Sequence, residues 1–113
     1  MTQSNEASLP GSETKYRINP DAKRYTMKDN AFIETKNGNF QYERVLSTQP
    51  GNKTAPVLKV TVSKALTNLK ISTVAANGIK KVNLFANDQM HEYRELAEFY
   101  LENFVQESVL ERV

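Results

Sequence analysis

The chain has 113 residues, of which 39% are hydrophobic and 25% charged, with four glycines, no cysteine and a formal net charge of +2. That is one domain's worth of chain, globular rather than disordered in composition. Disulfides, thiolate metal ligands and a cysteine nucleophile are excluded, and no apolar run approaches the roughly 20 residues a membrane-spanning helix needs.

Residues 1–14 are rich in Ser, Thr, Asn and Glu, contain Pro10-Gly11 and offer little to bury. They read as a mobile N-terminal arm, which leaves 15–113 as a single domain. The arm lacks the basic and apolar regions of a signal peptide. With no cysteine either, the expected setting is the cytoplasm, where the Asn52-Lys53-Thr54 sequon has no consequence.

Residues 15–18 form a short strand candidate. Asn19-Pro20-Asp21 then reads as a helix start: a capping side chain, a proline suited to the first turn, and an acid at the positive end of the dipole. Thr26 with Asp29 is an alternative start. The helix is brief, and Asn30 can adopt the left-handed conformation that ends it. Residues 32–36 and 39–46 are β-rich runs joined at Asn37-Gly38, the signature of a hairpin with a type I′ turn. Residues 47–56 hold Pro50-Gly51-Asn52 and Pro56 and form a loop. Three alternating strands follow at 57–62, 69–74 and 79–85, the last two joined around Asn77-Gly78.

Asn87 or Asp88 caps a long helix running from Asp88 to about Glu107. Tyr93, Leu96, Ala97, Tyr100, Leu101, Phe104 and Ser108 recur at helical spacing, and Phe99 and Val105 widen that apolar face. Glu92, Glu95, Glu98 and Glu102 fall on the other side. Residues 109–113 can extend the helix or turn back as an edge strand. The expected fold class is α+β: an antiparallel sheet of about five to six strands, with the long C-terminal helix on one face and a short helix near the N-terminus.

Charge is unevenly spread. Residues 1–85 hold 13 Lys/Arg against 6 Asp/Glu, and residues 86–113 hold 2 against 7. Strand alternation places Gln41, Glu43, Lys59, Thr61, Lys70, Ser72, Lys81 and Asn83 on the uncovered sheet face, with Phe40 and Tyr42 inward. Lys59, Thr61, Lys70, Ser72, Lys81 and Asn83 are the candidate binding face, suited to phosphates or an acidic partner. The ordinary reading of such a face is a solvated sheet surface, and without exposed aromatics for base stacking nucleic acid is not favoured.

No catalytic constellation stands out. His91 opens His91-Glu92-Tyr93-Arg94-Glu95, but the zinc-helix motif needs a second histidine where Glu95 stands, so His91 reads as a surface residue. There is no nucleophile elbow and no glycine-rich phosphate loop. No cofactor or metal is expected. The readings left are an accessory module that binds a protein partner, a domain that binds an amino acid in a cleft between the short helix and the sheet, and nucleic-acid binding on the lysine face.

Four stretches carry a family likeness: Tyr25-Thr26-Met27-Lys28-Asp29-Asn30-Ala31-Phe32, Glu34-Thr35-Lys36-Asn37-Gly38-Asn39-Phe40, Ala76-Asn77-Gly78 and Val109-Leu110-Glu111-Arg112-Val113. Through them residues 15–113 resemble a family of small bacterial proteins of unknown function to which a role in amino-acid metabolism is ascribed. The resemblance implies a fold distantly like the TATA-box-binding protein. It also implies a metabolic setting beside pyridoxal-phosphate enzymes that handle amino acids or sulfur. For the accessory-module reading, which rests on two oppositely charged surfaces, the expected partner is an amino-acid-metabolising enzyme. It brings no catalytic residues. Where that family would carry glycine before Phe32, this chain has Ala31.

Overall fold

Strict alternation builds the centre of the molecule. The computed structural model describes residues 6–9, 12, 14–47, 55–76, 80–84 and 91–113. Strands β3 (Ile33–Glu34), β4 (Phe40–Val45), β5 (Val57–Val62) and β6 (Leu69–Val74) form an antiparallel sheet in that order. The register stacks Phe40, Val62 and Leu69 in one inner row and Tyr42, Val60 and Ile71 in the next. All six are buried. Neighbours in a row share a face, so the opposite face carries the rows Gln41–Thr61–Lys70, Glu43–Lys59–Ser72 and Val45–Val57–Val74.

The first hairpin is real but its turn differs from the expected one. The Thr35 N–H donates to the Asn39 carbonyl at 2.7 Å, and the Gly38 N–H to the Thr35 carbonyl at 2.9 Å. Within this turn only Gly38 has positive φ, at 86°. This is a three-residue loop, a type I turn followed by a left-handed glycine, rather than the two-residue type I′ turn. The extra residue shifts the register by one, so Ile33 pairs with Gln41 and Glu34 with Phe40. Ile33 therefore lies on the outer face, 72% exposed.

The remaining strands make a second antiparallel sheet instead of extending the first. Its order is β1 (Glu6–Ala7), β2 (Tyr16–Ile18) and β7 (Leu110–Arg112). Part of the expected mobile arm thus belongs to the fold: Glu6 and Ala7 pair with Arg17 and Tyr16, and Leu9, 1% exposed, sits in the core. The undecided C-terminal residues form the edge strand. Leu110 pairs with Ile18, and Arg17 meets Glu111 in an ion pair at 3.1 Å.

Helix α1 (Arg24–Asp29) starts later than Asn19 suggested. The Asn19 side chain accepts from the Asp21 N–H at 2.8 Å and closes a turn. The helix itself opens after Lys23, whose N–H donates to Thr26 Oγ1 at 3.0 Å. Asn30 is not left-handed (φ −112°). The next residue, Ala31, takes that conformation (φ 70°) and turns the chain into Phe32, whose side chain is buried.

Helix α2 (His91–Gln106) is about 24 Å long at 1.5 Å per residue. Ala97, Leu101 and Phe104 are its buried centre, with Leu96, Tyr100 and Val105 half-buried beside them. Phe104 packs edge-on against Tyr42 with ring centroids 4.9 Å apart, and against Phe32 at 5.4 Å. Two expectations fail at its margins. Phe99 does not widen the buried face but is 65% exposed, and Ser108 lies beyond the helix at φ 62°.

The strand expected at 79–85 is reduced, among the described residues, to one bridge between Val74 and Lys81. The Val82 N–H donates to the Thr73 carbonyl at 2.8 Å, and the buried Thr73 hydroxyl donates back to the Val82 carbonyl. The Asn77-Gly78 turn, the Asn87 or Asp88 cap and Pro50-Gly51-Asn52 lie outside the described residues. No helix among the described residues is long and apolar enough to cross a membrane.

Candidate functional site

Four of the six candidate residues of the lysine face are brought together by register. Thr61 lies beside Lys70, and Lys59 beside Ser72. Lys81 stands opposite Val74, one row along, and Asn83 lies past that bridge. The face is not uniformly basic. Lys59 Nζ is 3.6 Å from Glu43 Oε1, and Gln41 donates to the same carboxylate at 2.9 Å. The exposed apolar side chains Ile33 and Val45 belong to the same side.

A more structured site lies on the inner side, where β4 outruns its cover. By alternation the inward phase of β4 is Phe40, Tyr42, Arg44. The first two are buried, whereas Arg44 reaches the margin of α2 and is exposed. Its guanidinium carbon sits over the Tyr100 ring, 4.8 Å from the centroid, a cation–π contact. It also stands near the Tyr42 phenol, where its positive charge favours the ionised form. Burial pushes the Tyr42 phenol above its usual range and Arg44 opposes the shift, so at neutral pH the phenol keeps its proton and can donate it.

These groups line a cavity of about 310 Å³ with Asp29, Asn30, Ala31, Phe99, Asn103 and Phe104. Helix α1 and the left-handed Ala31 supply one wall, β4 the floor and α2 the other wall. The result is an aromatic cleft with one guanidinium, one carboxylate, two amides and two phenols at its surface. Aromatic walls with a few convergent polar groups are the usual make-up of a small-molecule site, and this volume is at the small end. Sequence reasoning missed Arg44. The signal was available: a charged residue on the inward phase of a strand whose other inward residues are apolar.

Phe99 also borders a second cavity, of about 450 Å³, with Thr14, Tyr16, Glu98, Glu102 and Arg112. There Arg112 is clamped by both oxygens of Glu102, with Nε 3.1 Å from Oε2. This bidentate pairing holds the guanidinium above its ordinary pKa. Burial, with Glu102 and Glu98 adding to it, raises the Tyr16 phenol, while Arg112 opposes. The charges of this cavity are largely spent on one another.

His91 is a surface residue. Its Nε2 is 2.9 Å from Glu95 and its Nδ1 3.0 Å from an Arg94 nitrogen. Because arginine can only donate, Nδ1 accepts and Nε2–H faces the carboxylate. Among the described residues no group of three or more His, Cys, Asp or Glu could hold a metal ion.

The sequence pattern of the DUF1831 family, described as "Putative amino acid metabolism", matches residues 1–111. The chain belongs to that family. The crystal structure of a DUF1831 family protein from Lactobacillus plantarum is similar to it throughout: 32% identity, a TM-score of 0.87, and coverage of 100% of this chain and 99% of the other. No curated protein matches the chain. A DUF1831 fold is thus shared over the full length, and the likeness to the TATA-box-binding protein rests on the sequence resemblance alone.

Proposed function

We propose that this DUF1831 protein is a non-catalytic binding domain of amino-acid metabolism that holds a small carboxylate in the cleft beneath Arg44. One observation carries the reading. The Arg44 guanidinium sits over the Tyr100 ring near the Tyr42 phenol, lines the cavity, and has no ion pair with a described residue. A planar guanidinium with donors to spare suits a carboxylate. The neighbouring phenol proton and the Asn103 amide add neutral donors, a set fitted to holding charge rather than to breaking bonds. The family description supports the metabolic setting. A cytoplasmic location and service as an accessory to an amino-acid-metabolising enzyme belong to the same reading.

The test is a thermal-shift and calorimetric screen of free amino acids and simple carboxylates. At a ligand concentration of 100 times Kd the native state gains about 2.7 kcal/mol, which a melting curve resolves easily. The expected result is stabilisation by a subset of carboxylates that is abolished in Arg44→Gln. A panel without any shift, or shifts that survive Arg44→Gln, would overturn the reading.

A further inference from the structure

The same cavity that exposes Arg44 on its floor also exposes a carboxylate on the wall formed by α1. Asp29 is the last residue of α1 and lines the cleft. It is poorly placed for stability. The C-terminal end of a helix presents carbonyl oxygens and disfavours negative charge. The basic residue of that turn, Lys28, is turned towards Glu34, with Nζ 3.4 Å from its carboxylate, and Arg24 meets the same carboxylate at 3.3 Å. Asp29 has no ion pair with a described residue, and it does not close on Arg44. One small cavity therefore holds a cation and an anion that leave each other unneutralised. The same cavity is lined by aromatic rings: Tyr100, the buried Phe104, and Phe99, whose centroid is 5.8 Å from that of Tyr100 and which is mostly open to solvent.

We propose that the cleft recognises the zwitterion of a single free α-amino acid with a large apolar side chain. Arg44 receives the carboxylate, Asp29 the ammonium group, and Phe99 and Tyr100 the side chain. This rests on the carboxylate-binding reading above and adds to it the ammonium contact and the apolar preference. The volume of about 310 Å³ suits one amino acid. Apolar surface of Phe99 and Tyr100 covered by the ligand contributes in proportion to its area. The ammonium–carboxylate contact discriminates against ligands without the amino group, because removing it leaves Asp29 facing the bound carboxylate without a counter-charge.

Isothermal titration with four probes on the intact chain decides the matter: phenylalanine, 3-phenylpropanoate, phenethylamine and alanine. The expected order is phenylalanine tightest, with 3-phenylpropanoate and phenethylamine each weaker by at least about tenfold. Alanine should also be weaker, for want of a side chain to cover the rings. Asp29→Asn removes the advantage of phenylalanine over 3-phenylpropanoate and leaves 3-phenylpropanoate binding in place. Phe99→Ala narrows the gap between phenylalanine and alanine. Equal affinity for phenylalanine and 3-phenylpropanoate in the unaltered protein overturns the zwitterion proposal while the carboxylate reading stands. An Asp29→Asn variant that keeps the preference does the same. Binding of none of the four overturns the proposal, and binding of no carboxylate in the wider panel overturns the underlying reading as well.

Discussion

Ile33 pairs with Gln41, not with its neighbour Tyr42, and that offset of one residue decides which side of the sheet Ile33 occupies. A two-residue turn at Asn37-Gly38 would have set Ile33 opposite Tyr42 in the core. Because it is instead on the outer face, Ile33→Thr should change stability by no more than about 0.5 kcal/mol. Tyr42→Ala, in the inner row, should cost about 3 kcal/mol or more. Urea unfolding midpoints separate the two, and a large loss at Ile33 would contradict the register.

Two left-handed positions respond in opposite directions to glycine and alanine. Gly38 has φ 86°, and a Cβ there would stand 3.0 Å from the Lys64 side chain. Gly38→Ala should destabilise by about 1 kcal/mol or more, since strain adds to the crowding. Ala31 has φ 70°. Ala31→Gly relieves a left-handed residue that costs about 1–2 kcal/mol, against the greater freedom glycine gives the unfolded chain. The net expectation is a gain of about 0.5–1 kcal/mol, read as a higher urea midpoint. A loss would mean that Ala31 earns its place by packing.

The N-terminal segment contributes to stability through Leu9. Leu9→Ala should cost about 2–5 kcal/mol, the range for a fully buried leucine. A loss below about 0.5 kcal/mol would return that segment to the status of a dispensable arm.

Alkaline pH should weaken the fold through Tyr16 and Tyr42. Both phenols are pushed above the ordinary value near 10, chiefly by burial. As pH rises past about 10 the unfolded chain releases these protons while the folded state still holds them, so the unfolded state gains relative stability. Their contribution is intact below that pH and is lost as pH climbs towards the folded values. Urea midpoints measured upward from pH about 9 should fall more steeply for the unaltered protein than for a Tyr16→Phe, Tyr42→Phe double variant. Parallel slopes would refute this.

Where burial alone sets the pattern, the fold can be read from residue order. Leu58, Val60 and Val62 alternate cleanly because β5 is flanked on both sides, and Ala97, Leu101 and Phe104 repeat at helical spacing because one face of α2 is covered. Where local chemistry is degenerate, it cannot. Asn37-Gly38 satisfies a type I′ turn and a type I turn with a left-handed glycine about equally well, yet the two differ by one residue of register. Leu9 is a lone apolar residue in a polar segment and carries no period. Residues 110–112 become a strand only because β2 offers an edge some 94 residues away. The candidate site was half legible. The sequence suggested a cleft beside the short helix, but Arg44 and Asp29 come from separate elements and come to line one cavity only in three dimensions.

The pairing of β2 with β7 also sets the order of events as the chain is made. Residues 16–18 find their partner at 110–112, so this sheet cannot close until almost the whole sequence has left the ribosome. The central hairpins pair strands that are neighbours in sequence and can assemble earlier, since local contacts form faster than distant ones. Until then Tyr16 and Leu9 have no completed core to enter, and an emerging chain displays them to chaperones and proteases. A ribosome-bound chain arrested short of residue 110 should be cleaved within its first 18 residues, and one extended past Val113 should be protected there. Equal protection in both would show that the N-terminal strands settle without their C-terminal partner.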